Sequence, residues 1–424
     1  MSEWNVCSID ELGSVNRGKS KHRPRNDVIL FGGLYPFIQT ADVKRANLYI
    51  TEYNETYSDA GLAQSKLWKK GTLCITIAAN IAESAILGID ACFPDSVVGF
   101  IPHEQVSDLK FVKYLLDEFK VYMQQISRGT TQDNLSLEKL RRVKFNVPDY
   151  ITQQKIAHIL SRYDEAIENN NKRIKLLEQM AQNLYKEWFV RFRFPGWEKV
   201  ELKKSRIGKI PSTFNVLKQN EVISDYIGGG WGEDDESSNF PIQAAVVRGT
   251  DFPNFLKGDI SSCPIRFHKK SNYDSRVIKG DDIILEVSGG TQEQPVGRTV
   301  IVTKEKLNRF DNKLICASFC KLIHLNKQIV APFFYYYWMQ FVYDTRIIDR
   351  YQLQSTGIIN FKFEYFLRKG DILLPPSDLM WEFDSKVRNI HKQIENFAKE
   401  NQNLAKQRDL LLPRLMSGKV AIDN

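Results

Sequence analysis

The chain has 424 residues, enough for two or three domains, and its 42% hydrophobic and 26% charged content is that of a globular protein. Its 59 Lys and Arg against 51 Asp and Glu leave a net charge of +8, which leans toward a polyanionic partner. No apolar run reaches a membrane span and no leader opens the chain. Cys7, Cys74, Cys92, Cys263, Cys316 and Cys320 lack paired metal spacing, so the chain reads as cytosolic, with no membrane and no metal.

Residues 1–150 read as a first globular block. Short apolar runs such as YPFIQT, GTLCITIAAN and DSVVGFI alternate with Gly, Asn and Asp turns, the pattern of strands in a mixed sheet. An amphipathic helix is expected over Asp108–Ile126, then a polar loop, RGTTQDNL, and a short strand within RRVKFNVP. Residues 151–194 read as a long helix. Its apolar comb runs Ile156, Leu160, Tyr163, Ile167, Ile174, Leu177, Ala181, Leu184, Trp188, in steps of four and three, with Asn170 filling one gap. Such a helix, roughly 50 Å long at about 1.5 Å per residue, needs a partner for its seam.

The plan then repeats. Residues 195–378 form a second block in which GDDIILEVSGGT, from Gly280, matches GTLCITIAAN, from Gly71. IVAPFFYYYWMQFVYDTRII stands where the first block has its helix, and STGIINFKFEYFLRKGDILLPP where it has RGTTQDNL and its strand. Residues 379–424 carry a second comb, Phe383, Val387, Ile390, Ile394, Phe397, Leu404, Leu411, Leu415, with Asn401 in its gap. The two helices are expected to pair antiparallel through Ile156, Leu160, Ile167, Asn170, Ile174 and Leu177 on one and Val387, Ile394 and Asn401 on the other. Arg408 also falls in the seam, so that end is expected to be looser. The fold class is α/β (α+β).

Catalytic chemistry is poorly supported. Asp282 and Glu286 resemble half of a nuclease centre, but Ser288 stands where its Lys belongs. No phosphate loop, methyltransferase cofactor loop or nucleophile–His pair is present. DNA-binding signals are better. Arg17, Lys19, Lys21, His22, Arg23 and Arg25 crowd one loop, where they can track phosphates or read guanine edges. Gln39, Thr40, Asn80, Thr130, Thr131, Gln132, Trp231, Arg248, Thr250, Ser288, Thr291, Gln354, Ser355 and Thr356 sit at element ends. Most of them suit base edges. The open alternatives are a structural coiled-coil scaffold and the nuclease.

The layout resembles the specificity (S) subunit of type I restriction–modification systems over essentially the whole chain. The likeness is carried by Gln153-Gln154-Lys155-Ile156-Ala157 with Ile159-Leu160 and Asp164, by LYKEWFVRFRFPG, by PFIQTADV, GTLCITIAANIAESAIL and FPDSVVGF, and by the closing LLPRLMSGKV. The resemblance implies two target-recognition domains joined by an antiparallel coiled coil, reading a bipartite site in double-stranded DNA without catalysis. It implies docking of two methyltransferase subunits, which bind S-adenosylmethionine, and of two motor–nuclease subunits, which use ATP and Mg. An adaptor or orphan subunit of another phage-defence methyltransferase has the same layout. One departure is PPSDLMWEFDSK at the start of the second long helix, in place of Pro-Pro-x-x-Glu-Gln.

Overall fold

The computed structural model describes residues 4–127, 135–258, 261–291, 294–355 and 358–420. Helices and strands mix throughout, and the chain divides into two compact units: Met1–Asn169 with Asn401–Asn424, and Asn170–Glu400. The division falls inside both long helices, beside the two comb asparagines.

The first unit is built on a five-stranded sheet in the order Gly13–Arg17, Val97–Pro102, Leu73–Thr76, Ser84–Leu87, Tyr49–Ile50. Only the last pairing is parallel. Leu73, Cys74, Ile75 and Thr76 are all buried, so the central strand reads as a continuous apolar run rather than an alternation. Helix Leu109–Glu118 covers one face, and its Phe111, Val112, Leu115 and Leu116 share a core with Ile75, Phe100, Ile156 and Leu160. The expected helix over Asp108–Ile126 is two, broken at Phe119 and continued by Lys120–Ser127. The loop expected at Gly129–Asn134 lies outside the described residues.

The second unit repeats the plan. Its four-stranded sheet runs Ile223–Gly228, Cys320–Leu325, Asp282–Glu286, Thr299–Val302, the order of the first four strands above. Helix Pro332–Asp344 covers it, with every residue from Pro332 to Met339 buried. Even the turns correspond. Glu11 accepts the Ser8 backbone N–H at 2.5 Å, and Glu221 accepts that of Lys218 at 2.6 Å.

The first long helix spans Tyr150–Tyr185 and ends in a wider turn, Lys186–Val190. The second spans Ser377–Met416, with Pro413 in its last turn. Ile156, Leu160, Ile167, Asn170, Ile174, Val387 and Ile394 are buried, while Leu177 and Asn401 are half-buried.

A shared register links each helix to its own block. A spacing of 231 residues separates Asn170 from Asn401, Gln153 from Asp384 and Asp164 from Glu395. Gln153 Oε1 accepts the Asp108 N–H at 3.0 Å, at the start of helix Leu109–Glu118. Asp384 Oδ1 accepts the Phe333 N–H at 2.8 Å, at the start of helix Pro332–Asp344. The departure in the second helix's opening therefore leaves this bond intact, because a carboxylate replaces the amide oxygen. Asp164, 1% exposed, is bonded by Asn47 Nδ2 at 3.0 Å, by Tyr114 Oη and by Arg408. Glu395, 4% exposed, lies 3.0 Å from Lys306 Nζ and 3.3 Å from Arg309 Nη1. Arg408 thus ties the end that its polarity marked as loose: a seam cation weakens a helix pair only when no buried anion receives it.

Arg408→Leu should destabilise the protein by about 3 kcal/mol, because Asp164 is left buried and charged. The double variant with Asp164→Leu should recover most of that stability in urea titrations. A second prediction concerns His391, whose Nε2 is hydrogen-bonded to the Tyr337 hydroxyl at 2.8 Å. Burial, with Lys306 and Arg388 nearby, pushes its imidazole down to about 3. The folded state keeps it neutral while the unfolded chain protonates near 6.5. Stability is therefore complete above about pH 6.5 and falls by about 1.4 kcal/mol per unit below it. His391→Gln should flatten the melting-temperature decline between about pH 6.5 and 5.

Candidate nucleic-acid interface

In the first unit the basic loop follows the strand Gly13–Arg17 and is pinned from inside. Gln64 Oε1 accepts the backbone N–H groups of Lys21 and His22 at 2.6 and 3.0 Å. Arg23 Nη1 donates to the carbonyls of Ser20 and His22, both at 2.8 Å, so its guanidinium staples its own loop. Arg25 pairs with Asp95 at 2.9 Å, and His22 with Asp27 at 2.9 Å. Arg17, Lys19 and Lys21 are exposed, and among the described residues their side chains have no partner. Gln39 and Thr40 follow Ile38, which is anchored beside this loop. The Ile38 and Lys19 N–H groups donate to the neighbouring carbonyls of Cys92 and Phe93, at 2.8 and 3.1 Å. Gln39 Nε2 reaches Glu55 at 2.5 Å, and Lys44 holds Asn80 Oδ1 at 3.2 Å.

The second unit places different residues on equivalent scaffolding. Asp42, buried, accepts the Gln39 N–H at 2.8 Å; Asp251, buried, accepts the Arg248 N–H at 2.9 Å. Gln39 and Arg248 thus occupy the same helix-start position in the two units. Trp231, Arg248, Thr250 and Ser288 come together around a cavity of about 580 Å³. Glu286 also lines it, and so do three side chains that the sequence did not single out: Gln294, Arg298 and the surface aromatic Phe319. Thr291 is exposed next to this lining and accepts the Gln294 N–H at 3.0 Å. Gln354 and Ser355 lie in the strand Gln352–Ser355, which pairs with Ile358–Phe361. Thr130, Thr131, Gln132 and Thr356 lie outside the described residues.

Charge in the cavity is closely matched. Arg298 grips Glu286 with both arms, Nη2–Oε1 at 2.6 Å and Nε–Oε2 at 2.7 Å, and bonds the Gly249 carbonyl at 3.0 Å. Arg248 grips Asp251 at 2.8 and 2.9 Å. Burial alone would raise the Asp251 carboxyl; the Arg248 bonds outweigh it and hold it below the usual range. A Cβ on Gly249 would stand 2.2 Å from Glu286 Oε1, so a side chain there excludes the clamp. Asp282 in turn binds His324 Nδ1 at 2.8 Å. Both carboxylates of the nuclease alternative are buried in structural pairs, and among the described residues no group of three His, Cys, Asp or Glu could hold a metal.

Glu286→Ala should cost about 3 kcal/mol, because Arg298 is left half-buried without its anion. Glu286→Ala with Arg298→Met should be milder, read as the melting temperature.

The family model described as the type I restriction modification DNA specificity domain matches residues 1–179. Two curated relatives align along nearly the whole chain. The type I restriction enzyme MjaIX specificity subunit of Methanocaldococcus jannaschii is 24% identical, covering 99% of this chain and 94% of its own. The HindI specificity subunit of Haemophilus influenzae is also 24% identical, covering 99% and 100%. The crystal structure of a type I S subunit from M. genitalium shares the fold, with a TM-score of 0.55 at 14% identity over 98% of this chain and 96% of that one. No helix among the described residues is long and apolar enough to cross a membrane. Residues 1–179 thus match the type I restriction modification DNA specificity domain, and the chain as a whole is similar, from end to end, to specificity subunits of type I restriction enzymes.

Proposed function

We propose that this chain is the non-catalytic, sequence-reading subunit of a cytoplasmic type I restriction–modification complex, with one half of a bipartite DNA target read by each globular block. The observation that carries this reading is the duplication: one scaffold, down to the buried Asp at a helix start, presents Gln39 in one unit and Arg248 in the other. Two different sequences read by one backbone require that arrangement. The reading residues lie at element ends and can change without touching the core.

The two long helices act as an antiparallel coiled coil that spaces the blocks and docks two methyltransferase subunits. Pairings inside each unit support this. Arg408 meets Asp164 in the first; Arg173 lies over Phe397, and Tyr185 packs against Phe383, in the second. In each case a later residue of one helix meets an earlier residue of the other. S-adenosylmethionine belongs to the methyltransferase subunits, ATP and Mg to motor–nuclease subunits.

The decisive experiment replaces residues 195–378 with those of a relative and maps methylation in cells that also carry the methyltransferase. One half of the methylated sequence should change and the other persist; a change in both halves would refute modular reading. Inserting four residues, about one turn, into both long helices should lengthen the gap and leave both halves intact. The basic loop gives a second prediction. Arg17→Ala with Lys19→Ala and Lys21→Ala should flatten the salt dependence of duplex binding, its log–log slope falling by about 0.9 for each phosphate no longer neutralised. Arg23→Ala should leave that slope nearly unchanged, since its guanidinium is spent on its own loop. A structural scaffold would show no salt-dependent binding at all.

A further inference from the structure

The cavity of the second unit differs from a groove-reading surface in being a hollow. Base edges lie on the floor of a groove about 8.5 Å deep, so protein elements that read them must project into it. A hollow receives only what projects from the DNA, which is a phosphate or a base turned out of the stack. Charge decides between them. Arg248 is matched by Asp251 and Arg298 by Glu286, so the cavity offers no net positive charge to a phosphate. It does offer aromatic faces. Trp231 is 39% exposed and Phe319 67% exposed, both on the lining, and Arg266 backs the indole at 4.8 Å. Stacking on such rings holds unpaired bases with little regard to sequence, while polar groups around the ring edge select among them. Ser288, bonded to Asn360 at 2.7 Å, and Thr250 supply neutral polar groups on the same lining. About 580 Å³ lies within the usual range of small-ligand sites and leaves room for one heterocycle.

We propose that this cavity takes a neutral planar heterocycle, a single nucleobase turned out of the target duplex, between Trp231 and Phe319. The proposal rests on the DNA-reading function above and adds a second mode of recognition to it. The base concerned belongs to the half-site read by the second unit and is distinct from the base that is methylated.

The test uses the full chain with its methyltransferase subunits and a duplex carrying the sequence found by methylation mapping. An abasic residue is placed opposite each base of that half-site in turn, which removes the cost of unpairing the base while leaving the base in place. At one position other than the methylated base, binding should tighten about ten-fold. Trp231→Ala with Phe319→Ala should abolish that gain and keep any gain at the methylated base, and Trp231→Phe should restore it. Both rings are surface residues, and the methylated-base response reports an intact complex. A gain confined to the methylated base, or one unchanged in the double variant, overturns the proposal while DNA reading stands. Equal binding of matched and scrambled duplexes by the unaltered protein overturns the reading beneath it as well.

Discussion

A helix whose apolar residues form one seam cannot remain single in water, and each long helix of this chain has such a seam. The rest of the structure depends on how polar groups are admitted to it. Asp164 and Glu395 sit at equivalent positions, 1% and 4% exposed, where an unmatched charge would be costly. Each is matched by charge from its own unit: Asp164 by Arg408, with bonds from Asn47 and Tyr114, and Glu395 by Lys306 and Arg309. Because those bonds have direction, they fix how each block sits on its helix. Hydrophobic burial makes the helix pack; the buried carboxylate selects one orientation for the block.

Gln153 and Asp384 serve the same end by a different route. Each supplies an acceptor to the first N–H groups of the helix that covers its sheet, groups that have no partner within their own helix. An amide oxygen suffices in one unit. In the other the carboxylate serves, and it also binds Arg388, whose guanidinium reaches on to Asp281 in the turn before strand Asp282–Glu286. What the two units share is therefore a bond to a backbone position, which either side chain can make.

Much of the architecture was legible in the sequence because it follows from periodicity. The seam steps, the fourteen-residue intervals from Ile156 to Asn170 and from Val387 to Asn401, and the matched strand runs at Gly71 and Gly280 are all local patterns. Pairings between distant residues were not legible. Arg408 read as a flaw because Asp164, its partner, lies more than two hundred residues away. Glu286 read as half a metal centre because spacing shows which carboxylates are near one another and not which arginine neutralises them; Arg298 reaches it across a hairpin. Trp231, Arg248 and Ser288 were individually unremarkable turn residues, and only strand pairing gathers them around one hollow.

The same physics explains why the candidate reading residues resist sequence analysis while the scaffold does not. Asp42 and Asp251 are fixed by a backbone N–H that must be satisfied, so the type of residue at those positions is constrained. The side chains of Gln39 and Arg248, one residue type unlike the other, project from that fixed turn and meet no such demand from the fold. Arg248 carries one further constraint, because its bidentate bond to Asp251 orders the guanidinium before any ligand arrives. A side chain held this way gives up little freedom on binding a ligand, whereas unpartnered side chains such as Lys19 and Lys21 of the first unit would have to be ordered by one. The second unit is thus built around pre-ordered, charge-matched groups that suit selection by shape and hydrogen bonding. The basic loop of the first instead exposes unpartnered Arg17, Lys19 and Lys21, so the two units share a scaffold and differ in the side chains that they place on it.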